Sequence, residues 1–222
     1  MFERDIISQL AAWKTDTNRK PLVVHGARQV GKTWALKYFG REYFDDVAYF
    51  SLDKDESGLC DVFRTTKDPQ RIIQHLSFLH GKKIEPQTTL LILDEIQECN
   101  EALNALKYFC EEAPEYAVAC AGSLLGIYLN HVGKSFPVGK VNHLYMYPLT
   151  FTEFLRTKDP AMHEYMHSID KVEPLPQIFF DKLRESFTAY SICGGMPEPA
   201  TLMVDFNDME RVDSALQDIL ND

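Results

Sequence analysis

Apolar residues recur at helical spacing from the start of the chain. Phe2, Ile6, Ile7, Leu10 and Trp13 share one face and predict a helix over roughly 3–14. The polar break TDTNRK follows, then the short apolar run PLVV (21–24), read as a buried strand that ends directly in a glycine loop. TWALKYF continues as a helix with Trp34, Leu36 and Phe39 available for packing, and VAYFSLD (47–53) reads as a second strand. TKDPQRIIQHLSFLHG (66–81) predicts a helix with Asp68 as N-cap, Pro69 at its first position and Gly81 at its stop. TTLLILDE (88–95) is a continuous apolar run meeting two acids, the pattern of a strand buried on both faces. NEALNALKYFCEE (100–112) predicts a helix opened by Asn100. YAVACAGS (116–123) is a further buried strand ending at a glycine, and VNHLYMYPL (141–149) reads as a fifth strand. TFTE (150–153) fits a capping box that opens a short helix.

Strands alternating with helices imply an α/β fold, a parallel sheet with helices on both faces. Strand signals stop after about residue 157, and segments such as PQIFFDKLRESFTAYSICGG read as helical. A boundary is therefore expected at 157–160, dividing the chain into 1–157 and 158–222. The helical pattern is still running at LQDILND, so a chain that continues beyond this point is expected.

Composition narrows the function classes. With 222 residues, 45% hydrophobic and 25% charged, the chain can bury a globular core. Its net charge of −10 repels a nucleic-acid backbone, and the longest basic run is GKK at 81–83, so nucleic-acid binding is not expected of this chain alone. The five cysteines, Cys60, Cys99, Cys110, Cys120 and Cys193, are odd in number and form no C-x-x-C pair; reduced thiols are expected throughout. Charges interrupt the apolar N-terminus, which excludes a signal peptide, and no stretch approaches the length of a membrane span. The expected location is the cytoplasm, with no membrane partner.

The sharpest chemical signal is GARQVGKT at 26–33, placed after a strand and opening a helix. In such a phosphate-cradling loop the backbone N–H groups of Gly26, Ala27, Arg28, Gln29, Val30 and Gly31 point inward, and the helix end carrying Trp34 adds partial positive charge. Gly26 and Gly31 permit the tight turn, Lys32 reaches the β- and γ-phosphates, and the Thr33 hydroxyl holds Mg²⁺. The strand LLILDE supplies Asp94 as the magnesium acid, and Glu95 beside it suits deprotonation of an attacking water. Ser123, just past a buried strand, is placed to bond a γ-phosphate or the water, or equally to cap the next helix.

The pieces RKPLVVHGARQVGKT, LLILDEIQ, AGSLLG, PVGKV, YPLTFTEFL and CGGMPEP, in this order, resemble a prokaryotic family. Its members join an AAA-type ATPase domain to a C-terminal domain of unknown function. The resemblance implies a P-loop NTPase three-layer sandwich with a parallel five-stranded sheet in the order 5-1-4-3-2, followed by a small helical lid. It makes Lys32 and Thr33 nucleotide ligands, Asp94 the magnesium acid, Glu95 the catalytic acid and Ser123 a polar sensor. GGMP (194–197) resembles a glycine-proline motif that packs near adenine in relatives, which would make Pro197 a base contact; a simple turn after a helix explains it equally well. The family often has arginine where PVGKV has Lys140, so a transition-state arginine is not carried over there, and Arg28 and Arg156 are the remaining candidates.

The expected function is Mg²⁺-dependent ATP binding and hydrolysis coupled to an unknown protein partner, with oligomerisation open. Adenine is favoured because no N/T-K-x-D peptide follows the Asp-Glu strand. The alternative is an ATP-gated switch with negligible hydrolysis. A third motif, HEYMH at 163–167, has the spacing of two zinc ligands on a helix, but Glu173 and Glu185 are the only nearby downstream acids with any claim to be a third ligand and no strand flanks it; an exposed helix face is expected instead.

Overall fold

The apolar runs pair side by side. In the computed structural model, which describes residues 2–53, 58–122 and 139–221, five strands form one parallel sheet: β1 (Leu22–His25), β2 (Asp46–Ser51), β3 (Thr89–Asp94), β4 (Ala117–Gly122) and β5 (Asn142–Tyr145). Their order is β2-β3-β4-β1-β5, the expected 5-1-4-3-2 read from the opposite edge. Every residue of β3 and β4 is buried, as continuous apolar runs in the centre of a parallel sheet require. The edge strand β5 is shorter than the predicted 141–149. Among the described residues it pairs with the four-residue β1, and the pairing is flanked by the bonds from Asn142 N–H to Pro21 O and from Met146 N–H to His25 O.

Helices cover both faces. On one side lie α1 (Ile6–Thr15) and α2 (Lys32–Tyr43), where Trp13 of α1 packs against Phe39 of α2. On the other lie α3 (Leu59–Thr65), α4 (Pro69–His80) and α5 (Asn100–Glu112). Phe63, Ile72, Leu76, Leu106 and Phe109 from these helices join Val23, Leu91, Leu93 and Val118 of the sheet in one cluster. Each such side chain removed from water contributes about 1.5–3 kcal/mol. The α4 punctuation is as the sequence predicts: Asp68 accepts the Gln70 N–H at 2.9 Å, and Gly81 ends the helix at φ 77°. Two local readings are corrected. The helix α3 has no counterpart in the periodicity analysis, and Cys99, not Asn100, caps α5, its carbonyl accepting from Ala102 and Leu103 N–H.

The thiol reading is also corrected. Cys60 and Cys99 are joined as a disulfide, with Cα atoms 5.9 Å apart, while Cys110, Cys120 and Cys193 are free. The pair is separated by 39 residues and meets only because α3 packs on α5.

Contacts divide the chain into two compact units, Ile6–Met146 and Met1–Asp5 with Tyr147–Asp222. The division thus falls ahead of the expected 157–160, because the capping-box helix groups with the later helices. The second unit contains α6 (Phe151–Lys158), α7 (Pro160–His167), α8 (Gln177–Cys193), α9 (Pro197–Phe206) and α10 (Met209–Asn221). Its core gathers Phe2, Leu149, Phe154, Cys193, Ala200, Met203 and Val212. Phe2 stacks on Phe154, and Arg4 forms a buried ion pair with Glu153 at 3.2 Å, which is why α1 starts later than residue 3. The capping box is present: Thr150 Oγ1 accepts the Glu153 N–H, and Glu153 Oε2 accepts the Thr150 N–H. Among the described residues, no helix is long and apolar enough to cross a membrane.

Candidate functional site

The loop between β1 and α2 is shaped by close backbone approach. A Cβ on Gly26 would stand 2.2 Å from the Met146 carbonyl oxygen, so only glycine fits where β1 runs out beside β5. Gly31 adopts φ 94° directly before α2, and Gln29 also takes a left-handed conformation at φ 62°. Val30 is fully buried and anchors the loop from below, whereas Ala27 and Arg28 are exposed. These features bring the loop to the N-terminus of a 12-residue helix, whose dipole favours an anion there. Trp34 stacks on Tyr38 along that helix with ring centroids 5.1 Å apart.

Lys32 is buried, and its ammonium donates to the carbonyls of Gly26 at 2.9 Å and Ala27 at 2.6 Å. Burial lowers its pKa from the ordinary lysine value; Glu95 and Asp94 oppose that shift, and Arg28 adds to it. The ammonium therefore lies at the loop backbone, within the field of both acids.

The strand-end acids meet the loop's helix through one short bond. Thr33 Oγ1 donates to Asp94 Oδ2 at 2.7 Å, linking residues 61 positions apart. The Glu95 N–H donates to Asp94 Oδ1 at 3.1 Å. Glu95 itself sits at φ 49°, turning the chain out of β3 into a single 3₁₀ turn, Ile96–Glu98. Gln97, 7% exposed, reaches back across that turn and donates Nε2 to Glu95 Oε2 at 2.6 Å.

A hydroxyl and a carboxylate oxygen side by side form the hard-oxygen donor set that Mg²⁺ selects, with neither nitrogen nor sulfur in the pair. The glycine-restricted loop ahead of a helix N-terminus fits a polyphosphate. Residues 26–34, Asp94 and Glu95 are thus brought together within the unit Ile6–Met146.

Sequence reasoning missed two side chains here. Gln97 lay in the LDEIQ motif without a role. Tyr49 on β2 donates its phenol to Asp94 Oδ2 at 2.9 Å. Burial first, then the neighbouring Asp94, pushes the Tyr49 pKa up to about 12. Its only sequence signal was alternation: Val47, Tyr49 and Ser51 share one face of β2.

Ser123 lies outside the described residues. Pro197 is the first residue of α9 in the unit that includes Tyr147–Asp222. The preceding glycines have a local backbone reason: a Cβ on Gly195 would stand 2.6 Å from the Leu149 carbonyl oxygen, and the Leu149 N–H bonds Gly195 O at 2.7 Å. Lys140 pairs with Glu111 at 2.8 Å, and Arg156 with Asp5 at 2.8 Å. His163 and His167 lie together on α7 with ring centroids 4.5 Å apart, and among the described residues no third metal ligand joins them.

A family model described as an AAA domain matches residues 18–155. No curated protein matches the chain. Among solved structures, C. elegans PCH-2 is 12% identical with a TM-score of 0.44, over 96% of this chain and 68% of that one. AMPPCP-bound DnaA from Aquifex aeolicus is 14% identical with a TM-score of 0.37, over 91% and 63%. With more than half of its 222 residues inside the family match, the chain belongs to the AAA domain family.

Proposed function

We propose that this chain binds magnesium ATP and hydrolyses it, passing the change to a protein partner. One observation carries the reading: the 2.7 Å bond from Thr33 to Asp94, which unites the phosphate loop with the strand-end acids. Loop amides and the α2 N-terminus hold the phosphates. Lys32 exchanges the carbonyls of Gly26 and Ala27 for β- and γ-phosphate oxygens. Thr33 and Asp94 hold Mg²⁺, which when bound neutralises charge on those oxygens. Glu95 accepts the proton of the water that attacks in line, with its carboxylate oriented by Gln97. Ser123 enters as a polar sensor of the γ-phosphate.

Phosphate release by the purified protein tests this. ATP should be hydrolysed and GTP should not, and Lys32→Ala should abolish both binding and turnover. The Gln97 bond to Glu95 also favours a second reading, an ATP-gated switch in which the carboxylate is held out of use. Glu95→Gln separates the two. A hydrolase loses turnover and keeps its ATP affinity; a switch has no turnover to lose.

A further inference from the structure

Asp94 has a second hydroxyl donor that neither the loop nor the strand motif supplies. Its Oδ2 accepts both Thr33 Oγ1 at 2.7 Å and the Tyr49 phenol at 2.9 Å, while Oδ1 accepts the Glu95 N–H. Tyr49 is delivered there by the register of the sheet. Ser51 is paired with Asp94 and Tyr49 with Ile92, so a side chain two residues before the strand end must be long to reach the carboxylate. The face of β2 that carries Tyr49 is the one α2 covers. A Cβ on Gly40 would meet Val47 Cγ2 at 2.6 Å, so that glycine lets the helix lie close to the strand. Thr33, Lys37 and Gly40 follow one stripe of α2 at i, i+4 and i+7. The Lys37 ammonium lies 3.3 Å from the Tyr49 ring centroid and holds the ring by cation–π attraction.

We propose that Tyr49 is a positioning residue of the metal site: together with Thr33 it fixes the rotation of the Asp94 carboxylate, so that the Thr33 hydroxyl oxygen is presented to the divalent cation. This rests on the reading that Thr33 and Asp94 hold Mg²⁺. The terminal torsion of an aspartate is broad and roughly two-fold, so a carboxylate with one side-chain donor turns easily. Two converging donors on one oxygen and an amide on the other leave it a single orientation. Groups that orient metal-ligating carboxylates in this way typically change metal affinity by about 10–100-fold when removed.

Tyr49→Phe removes the hydroxyl and keeps the ring under Lys37. Binding of a fluorescent ATP analogue to the full chain is measured as magnesium chloride is titrated, then repeated in EDTA, with thermal melts of both proteins alongside. The half-saturating Mg²⁺ concentration should rise about tenfold, while affinity in EDTA stays within twofold. Superimposable magnesium curves overturn the proposal, including the case where only the melting temperature falls, since the phenol would then serve packing alone. A wild-type protein that binds the analogue without any magnesium dependence removes the underlying reading and the proposal with it.

Discussion

Gln97 and Glu95, two residues apart, are bonded side chain to side chain at 2.6 Å across the turn that leaves β3. The left-handed backbone at Glu95 makes this contact by folding the chain back on itself. A hydrogen bond to a charged group is worth about 1.5–3 kcal/mol. Gln97→Ala should therefore lower turnover roughly tenfold or more with ATP affinity unchanged, because it acts on the catalytic group and not on the phosphates. Steady-state kinetics with a separate binding titration checks this; a rise in turnover would identify the bond as a brake.

Gly26→Ala should disable the loop. The added methyl would stand 2.2 Å from the Met146 carbonyl oxygen, a backbone atom held by the Met146 N–H bond to His25 O. The loop must move away from β5, and the Lys32 bonds to Gly26 and Ala27 move with it. Calorimetry should record loss of nucleotide binding in a protein that still unfolds cooperatively.

A pH effect is expected from the imidazole that ends β1 and one within β5. His25 Nε2 and His143 Nδ1 are 2.8 Å apart, and Tyr145 stacks on His25. Burial, then the proximity of His143, lowers the His25 pKa from 6.5 to about 4, and burial lowers that of His143 as well. A lowered folded-state value means that protonation favours the unfolded chain. The stability contributed is full above pH 6.5 and declines as pH falls from there toward about 4. Melting temperatures across that window should fall more steeply for wild type than for His143→Gln.

Reduction should destabilise the unit Ile6–Met146. Closing a loop of 39 residues with the Cys60–Cys99 bond stabilises the fold by up to about 4 kcal/mol through the entropy of the unfolded chain. The denaturant midpoint should drop on adding dithiothreitol to the wild type. In Cys60→Ser/Cys99→Ser it should already be low and should not respond to the reductant.

Glu153→Ala should be more costly than a surface change. Glu153 Oε1 accepts from Arg4 Nε and from the Asp5 N–H, and both side chains of the pair are almost wholly buried. Removing the carboxylate takes the ion-pair partner from a buried guanidinium, while the Arg4 bond to the Tyr147 carbonyl at 2.7 Å is left in place. A loss of about 3–5 kcal/mol in chemical denaturation is expected.

Periodicity and punctuation made most of the sheet unit legible. TTLLILDE became β3 because a run apolar at every position suits only a strand covered on both faces, and Asp68, Pro69 and Gly81 set the ends of α4 by local backbone chemistry. That the loop glycines, Lys32, Thr33, Asp94 and Glu95 lie at the ends of β1, α2 and β3 was legible for the same reason: each is a residue type at a fixed offset from a strand or helix end. What sequence could not reach were pairings across distance. Cys60 and Cys99 meet only through the packing of α3 on α5, the Gly195 backbone lies against Leu149, and Arg4 joins Glu153 rather than extending α1.

The chain by itself determined the alternation of elements, the parallel sheet and the place of the glycine loop between β1 and α2, since these follow from side-chain period and backbone freedom over a few neighbouring positions. Tertiary structure alone decided that Tyr49 shares Asp94 with Thr33. That convergence depends on the register of β2 against β3 and on α2 lying across them, and parallel pairing brings together residues that no local spacing connects.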